Sequence, residues 1–358
     1  MKISHNNFLK LSFDLAKINL GKTNSNPSVG CVVVKNGVVI SSGYTSLNGR
    51  PHAEHNALNK KIDFKNADIY VTMEPCTHYG KTPPCINLIL KKKIKRVFFS
   101  SYDADERTSK KIFSKLSHKK IKIFKKEIKE FKNFYQSYFI NKYNNIPHLD
   151  GKIAISKDFY TINKRSKWIT NELSRKRAHL IRSEYDSIIS TSKSINLDNS
   201  ILNCRLKGFD RDKPNLIIID LNLRIKKNLD LFKNLKKRKI LIVTFKKNQK
   251  KINYFIKKGI KVMFVSSLKT KENFLLLFKR LKQLGYNRIL VESGLVFLNE
   301  LMKNKLIHNL YIFQSSKKLG KRGKNNDSNK ALRDLKKIKN ISVNLDGDKL
   351  YKLKLKNV

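Results

Sequence analysis

Residues 52–85 open with HAEHNALNKK and close with MEPCTHYGKTPPC. They contribute His52, Glu54 two residues later, and the cysteines Cys76 and Cys85, in a chain with four cysteines altogether. Thiolate and neutral imidazole are the donors zinc prefers, so His52, Cys76 and Cys85 are three candidate ligands. A structural zinc site closes with a fourth protein ligand, whereas a catalytic site leaves that position to water. Cys31 sits in the apolar run GCVVV and reads as a buried hydrophobe. His78, between the two cysteines, stays open as a fourth ligand. His55 follows Glu54 on an expected helix, points away from His52 and reads as surface.

Glu54 tips the balance towards catalysis. Two residues past a ligand, at a helix start, its carboxylate can lie beside the metal without ligating it. There it can take a proton from water that zinc has made acidic, and hand it to a leaving group. Aspartate would be too short for this, and glutamine cannot hold the proton. The H-x-E…P-C arrangement is the pattern of zinc-dependent nucleobase deaminases. A purely structural zinc remains the competing reading.

Such residues need elements to place them. The amphipathic spacing of Phe8, Leu11, Leu15 and Ile18 predicts a first helix. Asn36-Gly37 between two β-rich runs predicts a hairpin. A helix from about Ala53, a strand at ADIYVTM, a helix near 84–93, a strand at KRVFFSS, a helix near 108–116, a strand at KIKIF and a closing helix through KEFKNFYQSYFINKY follow. That alternation predicts an α/β layered domain. The polar turn NNIPHLDGK, around 144–152, marks a boundary, giving expected domains 1–145 and 146–358. Beyond it strands are expected at KIAIS, SIISTS, NLIIID, KILIVTF, KVMFVSS and RILVES, with helices near 171–182, 271–284 and 295–304. HNLYIFQSS and ISVNLDGDKLYKLKL read as terminal strands, and KKLGKRGKNNDSNK (317–330) as a basic surface loop.

The formal net charge is +51. That invites a nucleic-acid reading, but only 15 of the 78 basic residues are arginine, the residue that base and phosphate readers favour. The lysines are dispersed and read as solvated faces. No apolar run reaches the roughly 18–20 residues of a membrane span. The N-terminus lacks the apolar stretch of a secretory signal, and four cysteines suit a reducing compartment, so a cytoplasmic protein is expected.

The cysteine spacing is C-x8-C, and the inserted loop CTHYGKTPPC is more specific than the zinc pattern itself. With NPSVGCVVV, PHAEHNAL and YVTMEPC it closely resembles the bifunctional riboflavin-biosynthesis enzymes, a pyrimidine deaminase fused to a reductase. The resemblance runs over essentially the whole chain. It implies an N-terminal cytidine-deaminase-like α/β domain and a C-terminal dihydrofolate-reductase-like domain. The implied reactions are hydrolytic loss of the 2-amino group of 2,5-diamino-6-(5-phosphoribosylamino)pyrimidin-4-one, then NADPH reduction of the ribosyl group to ribityl. By that match His52, Cys76 and Cys85 bind zinc, Glu54 shuttles the proton, and Asn26 and Lys81 face the substrate. Thr45 stands where the family has a histidine, and DADERTSKKI replaces its proline- and glycine-rich loop.

The second half alone says less. It lacks G-x-G-x-x-G; VESGL after an apolar strand could bring backbone amides to a phosphate. Trp168, the one tryptophan, reads as core filler or as a stacking platform. SKWIT, IRSEYDSIIS, SINLDNSILNCR, NLIIID and VESG resemble the family's reductase in order. The resemblance implies that Ser166, Arg182, Leu202, Arg205 and Glu292 contact the phosphorylated substrate. It likewise implies that Ala154, Trp168, Ser194, Asp198 and Gly294 contact NADPH. Phe159 occupies a usual glycine position, and since phenylalanine resists positive φ the turn there is expected to differ. Ser200 and Leu295 are further departures.

Three alternatives stay open: a monofunctional deaminase with a degenerate, inactive reductase domain, a nucleic-acid-editing deaminase, and a structural zinc protein. The expected partner is a small phosphorylated pyrimidine, with no nucleic acid and no membrane; a homo-oligomer remains open.

Overall fold

A computed structural model describes residues 4–116, 119–209, 214–233, 235, 238–333, 338 and 340–355. The outermost residues of both expected domains, 1–3 and 356–358, lie outside that set. The chain divides into two compact units, Met1–Asn145 and Ile146–Val358.

The first unit runs α1 (His5–Lys17), β1 (Gly30–Lys35), β2 (Val38–Tyr44), α2 (Ala53–Leu58), β3 (Asp68–Met73), α3 (Cys85–Lys91), β4 (Arg96–Ser101), α4 (Ile112–Leu116), β5 (Lys122–Lys125) and α5 (Gln136–Tyr143). Its sheet has the order β2-β1-β3-β4-β5. β1 is antiparallel to both β2 and β3, while β3, β4 and β5 are parallel. Asn36 and Gly37 both take positive φ, 52° and 80°, as the tight hairpin turn requires. All six residues of β3 are buried, the signature of a strand covered on both faces. α1 buries Leu9, Phe13 and Ala16. Gly43 of β2 permits α2 to pack without a gap, since a Cβ there would lie 2.5 Å from the Ala53 carbonyl oxygen and 2.6 Å from the Ala57 nitrogen.

The second unit runs β6 (His148–Ile155), β7 (Ile162–Asn163), α6 (Glu172–Arg182), β8 (Ser187–Thr191), α7 (Ser192–Asp198), β9 (Asn215–Ile219), β10 (Ile240–Thr244), α8 (Gln249–Lys257), β11 (Lys261–Phe264), α9 (Lys271–Gln283), β12 (Arg288–Val291), α10 (Leu295–Lys303), β13 (Asn309–Gln314), β14 (Gly323–Lys324), α11 (Lys330–Arg333) and β15 (Lys349–Lys354). The main sheet has the order β11-β10-β9-β8-β12-β6-β13-β15. It is parallel except for β15, which pairs antiparallel with β13. Its two faces carry separate apolar clusters, one around Leu277, Leu298 and Ile312, the other around Ile188, Ile218 and Phe255. β12 sits between β8 and β6, so the carboxyl ends of these three strands lie side by side. In open parallel sheets that edge is where ligands bind.

Besides the unexpected short helix α11 and the confinement of the strand expected at ISVNLDGDKLYKLKL to β15, the structure departs from the expected elements in four places. The helix expected at 108–116 begins only at Ile112, because residues 105–111 form a turn in which Lys110 takes a φ of 60°. Glu74, 3% exposed, anchors that turn by accepting from the Lys110 and Ile112 amides at 2.9 and 3.1 Å. The closing helix is confined to α5, with a short 3-10 turn at Lys129–Phe131 before it. α7 and α8 were not expected. Each is begun by a side-chain cap, Thr191 Oγ1 accepting from the Ser194 amide and Asn248 Oδ1 accepting from the Lys251 amide, and α8 carries Ile252, Phe255 and Ile256 at helical spacing.

The fourth departure is Phe159. The turn was expected to differ because phenylalanine resists positive φ, yet Phe159 adopts a φ of 65°. Tertiary contacts impose it. The Phe159 carbonyl accepts from Asn325 Nδ2 and Asn329 Nδ2 at 3.1 and 3.0 Å. The Asp158 carboxylate accepts from the Gly320 amide at 2.8 Å. The segment 317–330, expected as a basic surface loop, is therefore bonded to this turn and adds the short pairing of β14 with β7.

Gly43→Ala should force α2 away from β2 and destabilise the first unit by about 1–3 kcal/mol. Urea unfolding checks this; an unchanged midpoint would mean the helix has room to move.

Candidate functional site

In the first unit, the loop before α2 and the loop between β3 and α3 meet. His52 is the residue immediately before α2, and Cys85 is the first residue of α3, with Pro84 setting its start. Cys76 lies three residues past the end of β3. His52 Nδ1 is 3.7 Å from Cys76 Sγ and 3.5 Å from Cys85 Sγ, and the Cys85 amide donates to Cys76 Sγ at 3.2 Å. The ligand atoms of all three residues lie within 4.8 Å of one another. Among the described residues this is the one group of three or more histidines, cysteines or acids so placed. The donor set of one imidazole and two sulfurs fits zinc, with a fourth position left over. His78 is turned elsewhere, its Nδ1 2.9 Å from Thr108 Oγ1, and His55 is exposed.

The electrostatics favour a deprotonated Cys76 sulfur. The hydrogen bond from the Cys85 thiol, with His52 next, pulls Cys76 down to about 4 against the cost of burial. Cys85, the donor in that pair, is pushed up in turn. Glu54 is 4% exposed. Burial, and then the Cys76 sulfur, raise its carboxyl to about 7. It lies within hydrogen-bond reach of Cys85. A buried carboxyl beside a candidate metal triad is placed to move protons there.

Asn26 Nδ2 donates to the Gly49 carbonyl at 2.9 Å, tying the NPSVG turn to the segment that leads to His52. Arg50 Nη1 donates to Thr82 Oγ1 at 2.7 Å, holding the same segment to the C-x8-C loop, where Lys81 is exposed. Thr45 is 2% exposed and bonds the Val29 amide, so it is part of the framework. The 103–112 loop reaches the C-x8-C loop through Thr77 and His78.

In the second unit the strand ends bring other residues together. Glu292, just past β12, receives Arg182 Nε and Nη2 at 2.5 and 2.9 Å, and Lys152 Nζ lies 3.3 Å away. Burial opposes ionisation of Glu292, yet Arg182 and Lys152 hold its carboxyl down to about 2. Arg205 bonds Asn203 Oδ1 at 2.8 Å, and Leu202 beside it takes a φ of 53°. Ser194 Oγ accepts from the Gly294 amide at 3.2 Å, joining the starts of α7 and α10. A Cβ at Gly294 would meet only Ser194 Oγ, at 3.7 Å, so space lies open before that backbone. The amides opening α10 and this open space suit a phosphate-bearing cofactor such as NADPH. Ala154 is half-buried near the end of β6. Asp198 closes α7, and burial raises its carboxyl.

Trp168 is 49% exposed, so it is not core filler. The Arg175 guanidinium stands over its ring at 4.6 Å. Ser166 Oγ accepts from the Trp168 amide at 3.1 Å, and among the described residues no hydrogen bond joins either to Arg182, Arg205 or Glu292. Lys152 and Glu74 were missed in the sequence. Lys152 had a signal, a lysine opening the apolar run KIAI; Glu74 is an ordinary acid until the fold places it.

The family model for the "Cytidine and deoxycytidylate deaminase zinc-binding region" matches residues 2–101, and that for the "RibD C-terminal domain" matches 144–350. The riboflavin biosynthesis protein RibD of Aquifex aeolicus is 32% identical over 324 residues, covering 88% of this chain and 87% of that protein. The protein of the same name from Chlamydia trachomatis is 32% identical, covering 83% of this chain and 80% of its own. The solved Thermotoga maritima diaminohydroxyphosphoribosylaminopyrimidine deaminase/5-amino-6-(5-phosphoribosylamino)uracil reductase superposes with a TM-score of 0.82 at 26% identity, covering 98% of this chain and 99% of that one. With both family models matched in order, and relatives this similar over most of its length, the chain belongs to the RibD family of riboflavin biosynthesis proteins.

Proposed function

We propose that the two units perform successive steps of riboflavin biosynthesis, residues 1–145 as a zinc-dependent pyrimidine deaminase and residues 146–358 as an NADPH-dependent reductase. The observation that carries the reading is the meeting of His52, Cys76 and Cys85 beside the buried Glu54. His52, Cys76 and Cys85 hold the zinc. Bound zinc supplies the Lewis acidity that makes water a nucleophile near neutral pH. Glu54 takes the proton that water releases and returns it to the departing 2-amino group of the diaminopyrimidinone. Asn26 and Lys81 orient the substrate, Asn26 from a fixed turn and Lys81 from the exposed loop.

In the second unit NADPH supplies the hydride that converts the ribosyl group to ribityl. Ala154, Trp168, Ser194, Asp198 and Gly294 hold the cofactor along the carboxyl ends of the strands. Ser166, Arg182, Leu202, Arg205 and Glu292 hold the substrate. Guanidinium groups make charge-assisted bonds to phosphate, and on that chemistry we give its phosphate to Arg182 and Arg205. Glu292 keeps Arg182 in place. A degenerate reductase gains nothing from the departures: Phe159 reaches the conformation a glycine would take, and Leu295 opens α10 as a buried residue. Among the described residues no helix is long and apolar enough to cross a membrane. We place the enzyme in the cytoplasm, acting on a small phosphorylated pyrimidine, with neither nucleic acid nor membrane as partner and with room for a homo-oligomer.

Glu54→Gln should lower deamination by about 10²–10⁴-fold while zinc stays bound, as general acid–base loss does. Its reduction of separately supplied deaminated substrate should be unchanged. Undiminished deamination would remove Glu54 from the proton path. Cys76→Ser should lose most of its zinc, measured by elemental analysis after dialysis; full retention would place the metal elsewhere.

A further inference from the structure

Arg238 lies just before β10, outside the residues so far given a part in either reaction. Its guanidinium donates from Nη1 to the Leu202 carbonyl at 2.6 Å and from Nη2 to the Ile201 carbonyl. The next carbonyl, of Asn203, accepts from Arg182 Nη1 at 2.9 Å and lies 2.8 Å from His179 Nδ1. Asn203 Oδ1 accepts from Arg205. Two arginines from distant stretches of chain, Arg182 and Arg238, thus grip three consecutive residues, with Arg205 bonding Asn203 from two residues further on. That segment needs holding. Asn199 and Leu202 both take left-handed φ, 45° and 53°, which costs a non-glycine residue about 1 kcal/mol each. Its start is pinned by Asn199 Nδ2 on Asp230 at 2.7 Å.

Among the described residues the charges around the segment do not balance. Arg182 and Lys152 share Glu292. Among the described residues, no carboxylate pairs with Arg205 or Arg238; both bond only oxygens of neutral groups. Burial, followed by repulsion from Arg182 and Arg205, pulls Arg238 down to about 10. The same two causes, burial and then Arg182, lower Arg205. His179 is driven down to about 4 by burial, Arg182 and Arg205, so it adds no charge near neutrality. Two cations without carboxylate partners beside a third are destabilising alone and favourable around a dianion.

We propose that Arg238 is a positioning residue of the reductase half. It fixes the 201–203 segment from behind, and it adds a third positive charge to the pocket in which Arg182 and Arg205 receive the substrate phosphate. The inference rests on the assignment of that phosphate to Arg182 and Arg205.

The test uses the full zinc-loaded chain, NADPH and the deaminated phosphoribosylamino substrate, with inorganic phosphate as competing anion. Arg238→Gln keeps donors for the carbonyls and loses the charge. Its KM and its inhibition constant for inorganic phosphate should each rise about tenfold, a charge effect of ordinary size. Its kcat should stay within about twofold, and its deamination rate should be unchanged. Arg238→Lys, which keeps the charge, should stay within about threefold in both constants. Unchanged constants in Arg238→Gln, or a fall in kcat alone, would overturn the proposal. If Arg238→Gln fails to fold, a tenfold rise in Arg238→Lys would overturn it equally. Arg205→Gln is the control: unchanged constants there would bring down the phosphate assignment itself, whatever Arg238 does.

Discussion

Three donor atoms serve one metal ion only if separate stretches of chain deliver them within a few ångströms of one another, and the first unit is organised around that constraint. His52 comes from the start of α2, Cys76 from the loop after β3, and Cys85 from the start of α3. Each position depends on something distant. α2 reaches its place because β2 carries no side chain at Gly43. The C-x8-C loop is held through Thr82 by Arg50 and through His78 by Thr108. Thr108 in turn belongs to the turn that the buried Glu74 anchors. The candidate metal site is therefore the meeting point of contacts that extend across the unit.

The second unit solves a different problem with the same economy. A buried carboxylate is costly unless its charge and lone pairs are met. Glu292 meets that cost with Arg182 and Lys152, and the arrangement joins β12, α6 and β6 at one end of the sheet. The Ser194–Gly294 bond adds α7 and α10 at the same edge. Parallel order makes this convergence unavoidable: β8, β12 and β6 are neighbours, so the residues that follow them or end them are neighbours too.

Much of the site was legible because its chemistry is local in sequence. His52 with Glu54, and Cys76 with Cys85, announce themselves by type and spacing, and the Asn36-Gly37 hairpin by its two residues. The strands of the second unit stand out as continuous apolar runs, as buried parallel strands do. What stayed hidden depends on partners far along the chain. Glu74 looks like any acid until it meets the amides of Lys110 and Ile112. Phe159 was expected to refuse a left-handed turn, and it takes one because asparagines more than 160 residues later bind its carbonyl. α7 escaped notice because it is only seven residues long, whereas α8 carried a legible signal in the helical spacing of Ile252, Phe255 and Ile256 that went unread among its lysines. Local pattern names the chemistry; tertiary contact decides how firmly it is held.

The most direct test of the account is the mass of the product formed from 2,5-diamino-6-(5-phosphoribosylamino)pyrimidin-4-one by the zinc-loaded chain with NADPH. A product that has exchanged its 2-amino group for oxygen and gained two hydrogens in the sugar is the predicted result, with both units working in sequence. A deaminated product still carrying the ribosyl group would contradict the reductase assignment, and unchanged starting material would contradict the account at its metal centre.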